Sequence, residues 1–100
     1  MKRYKVRFTP VAEADLVRLY DFLLQKDLTT AGRALDAIME GAEVLRFSPF
    51  SCRKAVSDNP FLRELIIPFG AAGDVALFEI EPRGIVNILA VRHQREEDYL

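Results

Sequence analysis

The sequence predicts an α+β domain in which a helical hairpin packs on one face of a small, mainly antiparallel sheet, in the chain order β-α-α-β-β-β. Residues 4–8 alternate apolar and charged side chains, as in a half-buried strand. Residues 10–48 carry two apolar stripes at helical spacing, and residues 61–92 hold three apolar runs separated by turn-forming residues. A length of 100 residues fits one domain, so residues 1–100 are expected to form a single unit.

The first two elements are a strand over residues 4–8 and a helix that begins at Pro10. Cations occupy one face of the strand, which suits the edge of a sheet because charge discourages pairing with other chains. Thr9 is suited to cap the helix and Pro10 to fill its first position, while Glu13 and Asp15 complement the helix dipole. The predicted buried stripe of this helix is Ala12, Leu16, Leu19, Tyr20 and Leu23.

A second helix is predicted after Thr29-Thr30, to end before Pro49 because Ser48 precedes a proline. The connection between the helices is short, which favours an antiparallel hairpin. Its predicted buried stripe is Ala31, Ala34, Leu35, Ile38, Ala42 and Leu45.

The second half of the sequence predicts an irregular loop over 49–60 and then three strands. The strands are predicted at 61–67, 75–81 and 85–92, with a turn at 68–74 and a tight turn at Pro82-Arg83-Gly84. The last strand is almost continuously apolar, which predicts an interior position in the sheet.

Composition excludes several classes of protein. The formal net charge of −1 and pI near 5.8 argue against a general nucleic-acid-binding surface and against direct nucleic-acid binding. A single cysteine, Cys52, and a single histidine, His93, can form neither an intrachain disulfide nor a zinc site on their own, and no cofactor is expected. The sequence has no apolar run of membrane-spanning length and no signal peptide pattern, so no membrane association and a cytoplasmic location are expected.

Polar residues that follow the apolar last strand are the main candidates for a functional site. The strand leads directly into Arg92-His93-Gln94-Arg95, a cluster that the fold itself does not require. His93 has a pKa suited to acid–base work, but with no nucleophile or carboxylate at motif spacing we favour a role in capping the strand. Arg63 lies inside an otherwise apolar strand and must face solvent, a carboxylate or a partner.

Several stretches together resemble the RelE/ParE superfamily of toxins from type II toxin–antitoxin systems. These are "FTPVAEADLVRLYDFL", "FLRELIIPFG" and "DVALFEIEPRGIVNILAVRHQREEDY", in the same order and spacing as in that superfamily. The "AVRHQRE" segment resembles the ParE, or plasmid-stabilisation, branch. This resemblance implies a toxin that inhibits DNA gyrase by binding, with no cofactor, and that is neutralised by the amphipathic segment of a ParD-like antitoxin.

The resemblance also allows a RelE-like ribosome-dependent mRNA endonuclease, but the sequence departs from that branch. Val75 occupies the position of its penultimate-strand arginine, and Gln94 the position of an arginine after the last strand, unless a one-residue shift puts Arg95 there. Leu65 and Ile67 follow Arg63 where a phosphate-binding face needs cations. A toxin-like fold that only binds antitoxin is a further alternative.

We therefore expect a non-enzymatic toxin with no catalytic and no metal-binding residues. The residues predicted to bind the target or the antitoxin are Arg63, Arg92, His93, Gln94, Arg95 and Tyr99. So small a domain cannot bury all of its large apolar side chains, so we also predict an exposed apolar groove for the antitoxin. The residues expected to supply it are Phe22, Leu24, Phe47, Phe50, Phe61 and Phe69.

Overall fold

The computed structural model describes residues 3–96 and contains two helices on a five-stranded mixed sheet. This confirms the predicted α+β class and the order of the elements. Their bounds are β1 (Lys5–Phe8), α1 (Pro10–Leu24), α2 (Leu28–Val44), β2 (Arg53–Val56), β3 (Asn59–Phe69), β4 (Ala72–Glu81) and β5 (Ile85–His93), with a turn of 3-10 helix at Pro49–Ser51.

The sheet has the strand order β1-β5-β4-β3-β2. All neighbouring pairs are antiparallel except β1 and β5, which run parallel with Lys5 opposite Ile85. The cationic strand β1 is an edge strand and the apolar strand β5 is an interior one, and both positions confirm the predictions. Strand β1 pairs only with residues 85–88 of β5, so beyond Ile88 the strand has β4 on one side and helix α1 on the other.

Both helices begin at side-chain caps. Thr9 Oγ1 accepts a hydrogen bond from the Ala12 N–H at 3.2 Å, as predicted for α1. Helix α2 begins at Leu28, earlier than predicted, because the Asp27 carboxylate accepts hydrogen bonds from both the N–H and the hydroxyl of Thr30. These bonds, the side-chain bond first, hold the pKa of Asp27 below its ordinary value. The helix ends at Val44, and the predicted breaker Pro49 instead begins the 3-10 turn.

The core lies between the helical hairpin and one face of the sheet. Phe78, Val86 and Ile88 of the two central strands are almost fully buried there, together with Leu45 from the end of the α2 segment. The predicted α2 stripe is confirmed for Ala31, Ala34, Ile38, Ala42 and Leu45, which are buried, whereas Leu35 is only half-buried. None of the helices within residues 3–96 has the length and apolar character that crossing a membrane requires.

The prediction of an irregular loop over 49–60 is wrong for residues 53–56, which form β2. Arg53 lies opposite Glu64 of β3, and the two side chains form an ion pair at 3.0 Å. Pro60 lies inside β3 without cost, because pairing with β4 starts only at Leu62 and no neighbour there needs its missing N–H. Cross-strand pairing thus overrides the polar, proline-containing local sequence.

The predicted turn over 68–74 is also too long, because β3 and β4 continue until only Gly70 and Ala71 separate them. Gly70 has φ of +59°, which a glycine adopts without strain. Gly73 lies so close to the backbone of β3 that a Cβ atom would overlap the Ile67 carbonyl. This close approach also leaves the Gly73 carbonyl free to accept a hydrogen bond from the Gln94 N–H at 2.9 Å.

Candidate partner-binding site

A partly buried ion network joins α1 to the end of β5. Asp15, only 7% exposed, accepts a hydrogen bond from the Val91 N–H at 2.9 Å. Arg18, one helical turn later, lies 3.7 Å from Asp15, donates to the Val91 carbonyl at 3.3 Å and pairs with Glu96 at 3.1 Å. Asp15 is therefore a structural acceptor for β5, a role that its predicted interaction with the helix dipole did not include.

Residues 93–96 form a tight turn fixed by their own polar groups. The Glu96 carboxylate accepts the His93 N–H at 2.9 Å, and His93 Nδ1 accepts the Arg95 N–H at 3.1 Å. When neutral, the imidazole therefore carries its proton on Nε2. The network and the turn meet at Glu96, which binds both Arg18 and His93, so the geometry of this segment is set by the body of the protein.

Alternation along β5 divides the predicted Arg92–Arg95 cluster between the two faces of the sheet. His93 is opposite Asp74 of β4, and both line a cleft beside the helices. Arg92 is opposite Val75 on the other face, and its guanidinium donates to the Glu96 carbonyl at 2.8 Å and more weakly to the His93 carbonyl. His93 and Arg95 thus share one surface, while Arg92 supports the turn from behind.

The cleft has a volume of about 480 Å³ and runs between the two helices and the end of β5. Its walls are apolar side chains of α1 and α2, and its polar residues come from four places: helix α1, the α1–α2 connection, strand β4 and residues 93–96. The apolar lining residues are Leu16, Leu19, Tyr20, Phe22, Leu23, Ala31, Ala34, Leu35 and Ile38; the polar ones are Arg18, Lys26, Asp74, His93, Arg95 and Glu96. A cleft of this kind can hold an amphipathic peptide segment.

Two carboxylates of the cleft are perturbed in opposite directions. Burial raises the pKa of Asp74, outweighing the attraction of His93. Burial also opposes ionisation of Glu96, but the hydrogen bonds from the His93 N–H and from Arg18 prevail and hold the pKa of Glu96 below its ordinary value. The Glu96 carboxylate is thus stabilised in its charged form by hydrogen bonds, whereas burial disfavours the charged form of Asp74.

Arg63 does not join this site. Its guanidinium donates to the Cys52 carbonyl at 2.7 Å and the Phe50 carbonyl at 3.1 Å, and its Nε donates to the Pro60 carbonyl at 2.7 Å. It lies opposite Phe78, four residues and about 13 Å further along β4 than Asp74. Arg63 therefore organises the segment that leads into β2. Burial raises the pKa of the neighbouring Cys52 thiol despite the attraction of Arg63, which disfavours the reactive thiolate.

The large apolar residues predicted to form one groove lie in three separate places. Phe22, 56% exposed, borders the cleft, and Leu24 is exposed nearby on α1. Phe47, Phe50 and Phe61 are exposed around the 3-10 turn, where the Phe50 and Phe61 rings meet edge to face at 6.0 Å. The half-buried Phe69 lies near the β3–β4 turn. Of this set, the cleft is lined by Phe22 alone.

The sheet face opposite the helices, here called the open face, carries cations that are largely neutralised. Arg7 lies 3.7 Å from Glu81, which also accepts hydrogen bonds from Asn87 and Arg83. These contacts, the Asn87 hydrogen bond first, lower the pKa of Glu81. At the centre of the face Val75 is only 2% exposed. Within residues 3–96, no group of His, Cys, Asp and Glu side chains is arranged to hold a metal ion.

Comparison with known proteins identifies the family. Residues 6–98 match the family described as "ParE toxin of type II toxin-antitoxin system, parDE". The chain belongs to this family of toxins. It is thus a toxin of a type II toxin–antitoxin system in the RelE/ParE superfamily, as the resemblance implied.

Individual relatives come from both branches of the superfamily. Toxin RelE3 of Caulobacter vibrioides is 38% identical over 92 residues, which cover 91% of this chain and 95% of that protein. The ParDE system of P. aeruginosa superposes with a TM-score of 0.72 at 22% identity, covering 91% and 96% of the two chains. The RelBE2 toxin–antitoxin complex of Mycobacterium tuberculosis has a TM-score of 0.68 at 25% identity, covering 96% and 97%. These matches establish the family of this chain. Two of the relatives carry RelE or RelBE in their names and one carries ParDE.

Sequence reasoning missed the charged residues that build the site from the other elements. Asp15 is a carboxylate four positions before Leu19 on the buried stripe of α1, and that spacing is a signal that could have marked it as buried. Asp74 and Glu96 had no local signal, since their roles depend on the β4–β5 register and on Arg18. The predicted binding residue Tyr99 lies outside the described residues.

Proposed function

We propose that this toxin inhibits DNA gyrase by binding to it, without chemistry of its own, and that an antitoxin segment docked in the cleft neutralises it. The proposal that the toxin acts without chemistry is supported by the residues on the open face of the sheet. The RelE-like branch uses cations on this face to bind and cleave RNA, and here the corresponding position on β4 is Val75, which is apolar and buried.

The remaining cations of the open face support the same proposal. Arg53 and Arg7 each pair with a glutamate, so their charge is already balanced. Arg92 is turned back onto backbone carbonyls. Stabilising the phosphate charge that develops during RNA cleavage requires cations aimed at a shared point, whereas Arg7 and Arg53 are paired with glutamates on either side of the apolar Val75.

The antitoxin is assigned to the cleft because its lining matches an amphipathic helix. The apolar walls, including Phe22 and Leu35, suit the apolar face of such a helix. Lys26 and Arg95 are exposed cations at the same cleft. Acidic residues flanking the apolar face of the antitoxin segment would pair with them and steer its approach.

A ribosome-dependent mRNA endonuclease is the alternative function, favoured by the 38% identity to a protein named Toxin RelE3. His93 and Arg95 are the residues near the end of β5 that such an activity would use. A chain that binds antitoxin but has lost toxicity is the third possibility.

Parallel assays on the purified toxin separate these functions. We expect plasmid supercoiling by DNA gyrase to fall with increasing toxin while mRNA on translating ribosomes stays intact. Cleavage of the mRNA with unaffected supercoiling would overturn the proposal in favour of the endonuclease. Absence of both activities, together with tight antitoxin binding, would indicate a non-toxic homologue.

A matched pair of variants tests the cleft as the antitoxin site. Arg95→Ala should weaken antitoxin binding because it removes an exposed cation from the cleft. Arg33→Ala removes an exposed arginine on α2 that does not line the cleft and should leave binding unchanged. Equal affinities of the two variants would place the antitoxin elsewhere.

A further inference from the structure

The cleft is lined by a mostly buried carboxylate that accepts no side-chain hydrogen bond from residues 3–96. Asp74 is only 6% exposed, yet it lines the cleft. Residues 3–96 contribute no hydrogen bond to its side chain and no ion pair within 4.0 Å, although His93 lies opposite it on β5. Buried carboxylates in folded proteins are normally paired or hydrogen-bonded, because burial removes the water that stabilises their charge.

Two cations that line the same cleft have other partners. Arg18 divides its guanidinium between Asp15, the Val91 carbonyl and Glu96. The Lys26 ammonium lies over the Phe22 ring, 5.2 Å from its centroid. Burial raises the pKa of Asp74 in spite of His93, so these neighbours do not compensate for the lost hydration. The Asp74 carboxylate is thus mostly withdrawn from water, and no cation within residues 3–96 forms an ion pair with it.

We propose that Asp74 determines antitoxin specificity by accepting a single lysine or arginine side chain carried on the apolar face of the antitoxin segment. This inference rests on the proposed docking of the antitoxin in the cleft. A cationic side chain fits the site because its aliphatic stem can pass the apolar walls while its charged end reaches the floor. The resulting pair is buried and hydrogen-bonded, so mismatched antitoxins would leave Asp74 desolvated and unpaired.

The proposal predicts a pattern in the antitoxin sequence. Acidic residues should flank the segment, where they meet Lys26 and Arg95, and one cation should interrupt its apolar face. The single cation on the apolar face is the feature that distinguishes this proposal. Burying it at the interface costs free energy unless the toxin supplies a buried anion to pair with it.

The first test compares Asp74→Asn with Asp58→Asn, using the antitoxin from the same operon as the probe in isothermal titration calorimetry. Asparagine keeps the shape of Asp74 but cannot balance a cation, so we expect binding to weaken by about 30-fold or more. The same variant should raise the melting temperature of the free toxin, because it removes the buried charge. Asp58, exposed in the β2–β3 turn, is the matched control and should change neither quantity.

A purely structural role for Asp74 gives the opposite result in the thermal melt, since loss of a stabilising carboxylate would lower the melting temperature. The paired readout of higher stability with weaker binding is therefore specific to the proposal. Unchanged antitoxin affinity in Asp74→Asn would overturn it.

The second test leaves the toxin intact. Each lysine and arginine of the antitoxin segment is replaced in turn by methionine, which keeps an unbranched stem without the charge. One replacement should weaken binding to the wild-type toxin by about 30-fold and have little further effect on Asp74→Asn, as a double-mutant cycle shows for directly coupled residues. If no cation couples to Asp74, the proposal is wrong.

Failure of this inference can be told apart from failure of the proposed docking site. Phe22→Ala removes an exposed ring from the cleft wall without disturbing the core. Weaker antitoxin binding in Phe22→Ala with normal binding in Asp74→Asn would support docking in the cleft and reject only the proposed pairing of Asp74 with an antitoxin cation. Normal binding in both variants would reject the cleft itself.

Discussion

Replacement of Asp15 by alanine should destabilise the protein strongly, although the residue lies on the first helix and carries a charge. The Asp15 carboxylate is 7% exposed and accepts the Val91 N–H at 2.9 Å. Alanine removes a hydrogen bond to a charged acceptor, worth about 1.5–3 kcal/mol, and leaves the donor of an almost fully buried residue unpaired, at a cost of about 1–3 kcal/mol. Since these terms overlap, we expect the free energy of unfolding to fall by about 2–4 kcal/mol.

That loss is large for a domain of this size. Each kcal/mol lowers the melting temperature by about 4–8 °C in a domain of up to 100 residues, so a fall of about 8–32 °C is expected. Urea titration monitored by circular dichroism gives the free energy of unfolding, and differential scanning calorimetry gives the melting temperature. Asp15→Asn should lie between wild type and Asp15→Ala, because the amide oxygen still accepts the Val91 N–H.

The control for this experiment is Asp21→Ala on the same helix. Asp21 is exposed, and such surface changes usually alter stability by no more than about 0.5 kcal/mol. If Asp15→Ala and Asp21→Ala unfold at the same urea concentration, the Asp15–Val91 bond does not hold β5 to α1, and the description of the network is wrong.

Four further predictions concern single positions. Gly73→Ala should destabilise the protein by about 1–3 kcal/mol because its Cβ would overlap the Ile67 carbonyl; Gly32→Ala, with open space around the Cβ on α2, should stabilise it by up to about 1 kcal/mol. Arg63→Ala should speed hydrogen exchange in residues 52–56 while sparing β5, because three carbonyls near that segment lose their donor. Because folding lowers the pKa of Glu96, its carboxylate stabilises the folded state at pH values above the unfolded-state pKa, and this stabilisation is lost as the pH falls through the folded-state pKa. Glu96→Gln should therefore make the free energy of unfolding less dependent on pH on the acid side. An unchanged pH profile of stability in this variant would contradict the prediction.

Local sequence was sufficient for the elements whose side chains follow one period. The α2 stripe and the alternation in β1 were predicted correctly because burial repeats along each element. Strand β2 was missed because its residues have no apolar periodicity, and its pairing comes from Arg53 with Glu64 and from the carbonyls held by Arg63. Such long-range pairing leaves no local signal.

The candidate site was predicted only in part for the same reason. The sequence showed that polar residues follow β5, but the division of Arg92 from His93 depends on the register with β4. Asp74 is an ordinary turn residue by sequence, and its burial results from the extension of β4 back to Ala72. Prediction from sequence therefore found the segment and missed the carboxylates that shape it.

The strand order has a consequence for when the toxin can become active during its synthesis. Strand β1 pairs with β5, and the Thr9 hydroxyl donates to the Leu89 carbonyl 80 residues later. A ribosome adds about 5–20 residues per second, so the residues of β5 that pair with β1 are synthesised about 4–16 s after β1. Residues 93–96, which line the cleft, are synthesised after the rest of β5, so the cleft can form only after this delay. An antitoxin made beforehand would therefore be present when the cleft first forms.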